Sequence, residues 1–240
     1  MKFLYIFPHP DDESFGPTAV MHQQIKDGHE VHLLTLTRGE ATKVRFQLGY
    51  SEEQMADIRA KELEAVAGFM KLSSLRIMEF EDGMLAHYDP IVLEKVIEEH
   101  ITEISPDILV TYPVHGISGH HDHITTHFIV KRIYINLKKK GKLNIKRLAF
   151  LTLPRDEGGD DDTKGGNYEV NRSHSKFIDV AIKLNEEDRT VFLKSLDFYK
   201  TFQEVINESG VKEKIGNTVY FELFGEDYKP PLKSLTELLF

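Results

Sequence analysis

The chain has 240 residues, 40% hydrophobic and 29% charged, which excludes collagen-like, low-complexity and wholly disordered classes and leaves length for one sizeable core. A formal net charge of -9 lacks the basic footprint of a nucleic-acid binder, and the short run Lys138 to Lys142 reads as a solvated helix end. With no cysteine, disulfides and thiolate chemistry are excluded, so any metal must be held by His, Asp or Glu.

Residues 2–7 read as a strand that runs straight into Pro8-His9-Pro10. A helical pattern follows over 15–27, a second strand over 30–37, and an irregular link over 38–50 that carries Arg38, Lys43 and Arg45. The clearest helix is 51–70, where Met55, Ile58, Leu63, Val66 and Phe69 share one side and Ser51 with Gln54 has capping-box spacing. Next come a strand over 75–80, a helix over 90–104 with Asp89 as cap before Pro90, a strand over 107–112, a helix over 124–140 and a strand over 147–153. Residues 154–173, rich in Gly and Asp, read as a surface loop or a lid. A strand over 175–181, a helix over 186–207 and a strand over 217–224 follow.

Strands alternating with helices predict one α/β domain over 1–240, Rossmann-like, with a mostly parallel sheet and helices on both faces. Its motif-bearing core is about 1–153. Such sheets place their sites at the carboxyl ends of strands. No apolar run approaches the roughly 20 residues needed to cross a bilayer, and the apolar start is too short for a signal peptide. A cytoplasmic protein without a membrane partner is expected, and homo-oligomerisation is left open.

Two stretches concentrate chemistry at predicted strand ends. After the first strand comes Pro8-His9-Pro10-Asp11-Asp12-Glu13; after the fourth comes His115-Gly116-Ile117-Ser118-Gly119-His120-His121-Asp122-His123, then His127. Six of the twelve histidines lie in these two stretches, more than a chance scatter would place there. Adjacent carboxylates repel unless a positive group relieves them, and a divalent cation that accepts imidazole and carboxylate would do so. His9 and Asp12, three apart in a tight turn entering a helix, can point the same way, leaving Asp11 to hold a water. The plainer alternatives are a capping turn for 9–13 and a solvated loop for 120–123. His123 and His127, four apart, are a rival ligand pair. His121 reads as a loop residue, His115 as either a backbone-bonding or a site-lining residue, and Glu13 as part of a capping network.

His9-Pro10-Asp11-Asp12-Glu13 together with His120-His121-Asp122-His123 resembles the paired motifs of the LmbE-like, PIG-L-type N-deacetylases, over about the first 130 residues. Leu36-Thr37-Arg38-Gly39-Glu40 and Arg59-Ala60-Lys61-Glu62 belong to the same resemblance. It implies a metal-dependent hydrolase that removes acetyl from an N-acetylglucosamine-type conjugate. His9, Asp12 and His123 would be the ligands of one divalent metal, zinc first and ferrous iron as the alternative. Asp11 would be the general base and His120 the oxyanion-stabilising group, with Asp122 holding His120 and keeping it cationic. Arg59 and Asp82 would bind substrate, the alternatives being a helix-surface residue or structural ion pair for Arg59 and a turn residue for Asp82; Glu40 is grouped with them, or else supports the metal site or caps a helix. Ser118 stands where some thiol-pathway members carry a tyrosine. Rival readings are a related amidase of sugar conjugates, a metal phosphoesterase, which usually gathers more carboxylates, and a non-catalytic metal- or sugar-binding protein. The missing Gly-rich turn after strand one disfavours a nucleotide-binding domain.

Overall fold

The computed structural model describes residues 1–155, 164–165 and 168–239. In chain order its elements are β1 (Lys2–Phe7), α1 (Asp12–Phe15), α2 (Thr18–Lys26), β2 (Glu30–Thr37), α3 (Val44–Leu48), α4 (Glu52–Met70), β3 (Ser74–Phe80), α5 (Pro90–Ile104), β4 (Ile108–Thr111), α6 (His121–Lys140) and β5 (Arg147–Thr152). The two-residue strands β6 (Lys164–Gly165) and β7 (Tyr168–Glu169) follow, then β8 (Val180–Lys183), α7 (Glu186–Leu196), α8 (Gln203–Ser209), α9 (Val211–Lys214) and β9 (Thr218–Leu223). Half of the residues over 154–173, expected as a loop or a lid, lie outside those described.

One seven-stranded sheet has the order β3-β2-β1-β4-β5-β9-β8. The first five strands are parallel; β9 and β8 join antiparallel. Strand side chains alternate faces, and the core divides accordingly. Phe3, Tyr5, Phe7, Val31, Leu33 and Val110 pack on one face with Val20 and Met21 of α2, Leu63 and Val66 of α4 and Leu196 of α7. Leu4, Ile6, Leu34, Leu36 and Leu109 pack on the other with Leu93 and Ile97 of α5 and Ile129 and Ile133 of α6. Each such fully buried side chain contributes about 1.5–3 kcal/mol. The near-continuous apolar runs of β1 and β4 follow from burial on both faces.

The strand order reverses at β1, which pairs with both β2 and β4. The turns that leave β1 and β4 therefore emerge side by side, at the crevice where open α/β sheets bind ligands. Thr37 pins the first turn by donating both its backbone N–H and its hydroxyl to the carbonyl of Pro8 (2.9 Å each).

Several boundaries differ from expectation. The helix predicted over 15–27 begins only at Thr18, as α2; Phe15 ends the separate short helix α1, which Pro17 has no N–H to continue. The helix expected from residue 124 begins at His121, since the ring of His120 caps it by accepting from the N–H of Asp122. The strand expected over 175–181 is a 3₁₀ turn, Ser175–Phe177, followed by β8. The helix expected over 186–207 stops at Leu196 and resumes as a 3₁₀ turn, Lys200–Phe202, and α8. The capping box of Ser51 and the cap of Asp89 form as their spacing implies.

Candidate active site

Asp11, the residue after Pro10, has φ 101°, a left-handed conformation that is rare for a side chain other than glycine and costs on the order of 1–3 kcal/mol. This twist sends Asp11 and Asp12 in different directions. Asp12 turns back: its Oδ2 accepts from the backbone N–H of His9 (2.8 Å) and its Oδ1 from the hydroxyl of Tyr112 (2.6 Å). Asp11 faces helix α4, where Arg59 Nη2 donates to its Oδ2 (2.8 Å) and also to the carbonyl of Pro10.

His9, Asp12 and His123 converge. His123 Nε2 lies 3.3 Å from His9 Nδ1 and 3.3 Å from Asp12 Oδ1, and His9 Nδ1 lies 3.5 Å from Asp12 Oδ2. The protons can be assigned from the other ring atoms. His123 Nδ1 faces the carbonyl of Gly116 at 2.9 Å, so it carries the hydrogen and Nε2 is bare. His9 Nε2 faces the carboxylates of Asp82 (3.1 Å) and Asp122 (3.2 Å), so it carries the hydrogen and Nδ1 is bare. Two imidazole nitrogens and a carboxylate thus point at one another around a position that takes one positive charge, a proton on His9 Nδ1 or a metal. Such an arrangement is repulsive until a cation enters it.

The electrostatics agree. Burial opposes charge on His9, but Asp12, Asp122 and Asp82 outweigh it and raise its pKa well above the usual 6.5. Positive charge is therefore drawn to the position, whether carried by a proton or by a metal. Burial pushes His123 down to about 4 despite Asp12, which keeps it neutral. Burial would raise Asp12 as well, but His123 and His9 hold its carboxyl below the ordinary carboxylate range. Asp11 is pushed up to about 7 by burial, only partly offset by Arg59, which suits a group that takes and returns a proton near neutral pH.

Tyr112 stacks on the ring of His123, with centroids 4.1 Å apart and planes 7° apart. Gly116 has φ 64°, and a Cβ there would stand 2.8 Å from that of His123, so only glycine lets its carbonyl orient this ring.

Other expected site residues have partners of their own. Asp122 does not hold His120: it is fully buried, takes the Nε2 hydrogen of His9, and accepts the N–H groups of Gly83 (2.8 Å) and Leu85 (3.0 Å). Burial lowers the pKa of His120, against the weaker pull of Asp122. Its Nδ1 accepts from the N–H of Asp122, which leaves Nε2 as an N–H donor. Arg59 is 3% exposed and turned inward onto Asp11. Asp82 and Glu40 also serve the site from behind. Asp82 bridges His9 and the N–H of Ala41 (2.9 Å), and Glu40 accepts the N–H of Asp82 (2.9 Å).

The remaining histidines stand apart. His127 Nδ1 bonds the carbonyl of Tyr112 and its ring packs on Phe150, so it ties helix to strand. His115 lies against Ser173 at 3.1 Å, and His121 is exposed. Ser118 Oγ is 3.4 Å from His123 Nδ1. Glu13 is a buried network member, accepting from the N–H of Asp11 (3.2 Å), Ser14 Oγ (2.7 Å) and Tyr199 OH (2.7 Å). Sequence reasoning missed Tyr112, Tyr199 and Phe202. Tyr112 ends the apolar run of a strand aimed at the site, which is a usable signal; the other two carry none.

A family model described as "PIG-L: GlcNAc-PI de-N-acetylase" matches residues 4–134, more than half of the chain. A probable N-acetylglucosaminyl-phosphatidylinositol de-N-acetylase of Schizosaccharomyces pombe is 29% identical over 180 residues, 68% of this chain and 68% of its own length. A 1D-myo-inositol 2-acetamido-2-deoxy-alpha-D-glucopyranoside deacetylase of Thermomonospora curvata is 27% identical over 152 residues, 55% of this chain and 51% of its own length. The matched region thus spans between half and about two thirds of these curated relatives. The crystal structure of N,N'-diacetylchitobiose deacetylase from Pyrococcus horikoshii has the same fold, with a TM-score of 0.66 at 17% identity over 93% of this chain and 83% of that one. With both histidine motifs inside the matched residues and the fold shared, the chain belongs to the PIG-L family.

Proposed function

We propose that this protein is a metal-dependent N-deacetylase that releases acetate and a free amine from an N-acetylglucosamine-type conjugate. The observation that carries the reading is the set of bare ligand atoms on His9, Asp12 and His123. Ligand atoms about 2.0–2.1 Å from one tetrahedral ion stand roughly 3.3–3.4 Å apart. His123 Nε2 stands 3.3 Å from His9 Nδ1, and Asp12 offers a different oxygen to each ring, Oδ1 at 3.3 Å from His123 and Oδ2 at 3.5 Å from His9. Two imidazoles and a carboxylate suit zinc, with ferrous iron as the alternative. When bound, the divalent ion supplies Lewis acidity toward water and the amide oxygen.

This chain's own groups do the rest. Asp11 accepts the proton of the attacking water and returns it to the departing amine. His120 donates its Nε2–H to the oxygen that becomes negative as the carbonyl carbon turns tetrahedral; removing such a donor typically costs about 10²–10³ in rate. Asp82 and Asp122 hold His9 in the tautomer that leaves Nδ1 free. Arg59, Asp82 and Glu40 being engaged inward, recognition of the sugar and its aglycone falls to other rim residues. We further propose one domain over 1–240, acting in the cytoplasm on a small N-acetylated amino-sugar. Among the described residues no helix is long and apolar enough to cross a membrane.

The test is acetate release from a panel of N-acetylglucosamine conjugates with zinc or ferrous iron supplied. Turnover on at least one conjugate, lost in Asp11→Asn while metal stays bound, is expected. Metal binding without turnover on any N-acetylated sugar would favour the binding-protein reading.

A further inference from the structure

Besides the N–H groups of Ser14 and Phe15, which bond its carbonyl, two side chains hold Asp11 in its left-handed conformation: Arg59, through the Asp11 carboxylate and the Pro10 carbonyl, and Glu13, through the Asp11 N–H. Both are gripped from behind by one short segment, residues 199–202. Tyr199, fully buried, donates its hydroxyl to Glu13 Oε1 at 2.7 Å. Phe202 lays its ring against the Arg59 guanidinium, 3.9 Å from the centroid. Between them Thr201 gives its backbone N–H (2.8 Å) and hydroxyl (2.7 Å) to the two oxygens of Glu62, nearly one turn beyond Arg59 on α4. On the opposite side Gly39, at φ 70°, leaves no room for retreat: a Cβ there would lie 2.6 Å from Arg59 Nε. Arg59 is thus confined between a glycine backbone and an aromatic face, and its reach to Asp11 is set by both.

The geometry points to residues 199–202 as a positioning brace for Asp11, with Tyr199 and Phe202 as positioning residues of the reaction although they lie outside the family-matched region. The inference rests on Asp11 being the proton acceptor. Neither side chain contacts His9, Asp12 or His123 in any hydrogen bond or ion pair among the described residues, so the brace acts on Asp11 without acting on the metal ligands. An aromatic face desolvates and orients a guanidinium in a way an aliphatic side chain of similar volume does not. The segment interrupts the helix expected over 186–207. A continuous helix would keep these side chains on a regular surface instead of turning them to α4 and the first motif.

The experiment is a set of variants of the zinc-loaded full chain, assayed for kcat, KM, zinc content and thermal midpoint. Phe202→Leu and Tyr199→Phe are each expected to lower kcat about tenfold with KM and zinc content unchanged, while Phe202→Tyr retains the parent kcat. In an Asp11→Asn background, Phe202→Leu is expected to lower the residual rate no further, because it acts through Asp11. An equal tenfold loss in that background, or equal loss in Phe202→Tyr and Phe202→Leu, would overturn the brace. If Phe202→Leu unfolds, Tyr199→Phe in the two backgrounds decides alone. Full turnover in Asp11→Asn itself would sink the assigned base and not the packing argument, so the two failures are distinguishable.

Discussion

Two poles of the sheet handle buried charge in opposite ways. At the amino end of β5, Arg147 is fully buried and bonded through all three of its nitrogens. Its Nε and Nη2 donate to the two oxygens of Glu226 (2.9 and 2.7 Å), and its Nη1 donates to the carbonyls of Leu235 (2.6 Å) and Glu237 (3.1 Å). At the carboxyl ends of β1, β3 and β4, Asp12 faces both His9 and His123, Asp82 and Asp122 face the other nitrogen of His9, and Asp11 and Glu13 lie beside them, with Arg59 as the one guanidinium bonded into the group among the described residues. Donors and acceptors balance at the first pole, as a structural pair requires. At the second they fall short by one cation. A local shortfall of that kind, held in place by neighbours that are themselves satisfied, marks a site built for a ligand and not for stability.

The sharpest way to break the comparison is His123→Ala. It should abolish metal binding and turnover, with zinc at background by elemental analysis, while the metal-free thermal midpoint stays the same or rises because a repulsive contact is relieved. A collapsed fold would mean that the rim is structural after all. Arg147→Ala should do the reverse, removing about 3 kcal/mol of stability in denaturant titrations because four hydrogen bonds to a buried group are lost. Zinc per folded molecule should not change; a parallel fall in metal content would show the poles to be coupled.

Smaller effects sharpen the contrast. Asp122→Asn should weaken zinc affinity about 10–100-fold by chelator competition, since His9 loses a charged acceptor on Nε2. An unchanged affinity would mean that Asp82 alone sets the tautomer. The smallest expected effect is on pH stability away from both poles. Burial pushes the imidazoles of His32 and His100 below 6.5, and neither Nε2 has a hydrogen-bond partner among the described residues. On unfolding they take up protons that the native state refuses, so their contribution is present above pH 6.5 and is lost as pH falls below it. The unfolding midpoint should decline from pH 7 toward 5, and His32→Gln with His100→Gln should flatten that decline; an identical slope would exclude these two groups as its source.

How much of this could be read in advance differs by level. The strands at 2–7 and 30–37 and the helix at 90–104 coincide with the structure because apolar runs and caps are local signals. The partners of Asp122 and Arg59 and the break at 197–202 are not legible locally because each depends on a neighbour far away in the chain. Asp122 turns to His9, 113 residues distant, and not to His120 two positions away. Arg59 turns to Asp11 because Gly39 and Phe202 leave it one direction.

The order of residues by itself determined the α/β alternation, the two strand-end turns and the donor types available to a metal, since propensity, periodicity and side-chain chemistry are properties of short stretches. Only the tertiary structure decided which nitrogen of each imidazole is bare, which carboxylate holds which ring, and that a segment near residue 200 braces a residue near the start. Those outcomes depend on distances and angles between elements far apart in the chain, which are set when the sheet closes its core and not before.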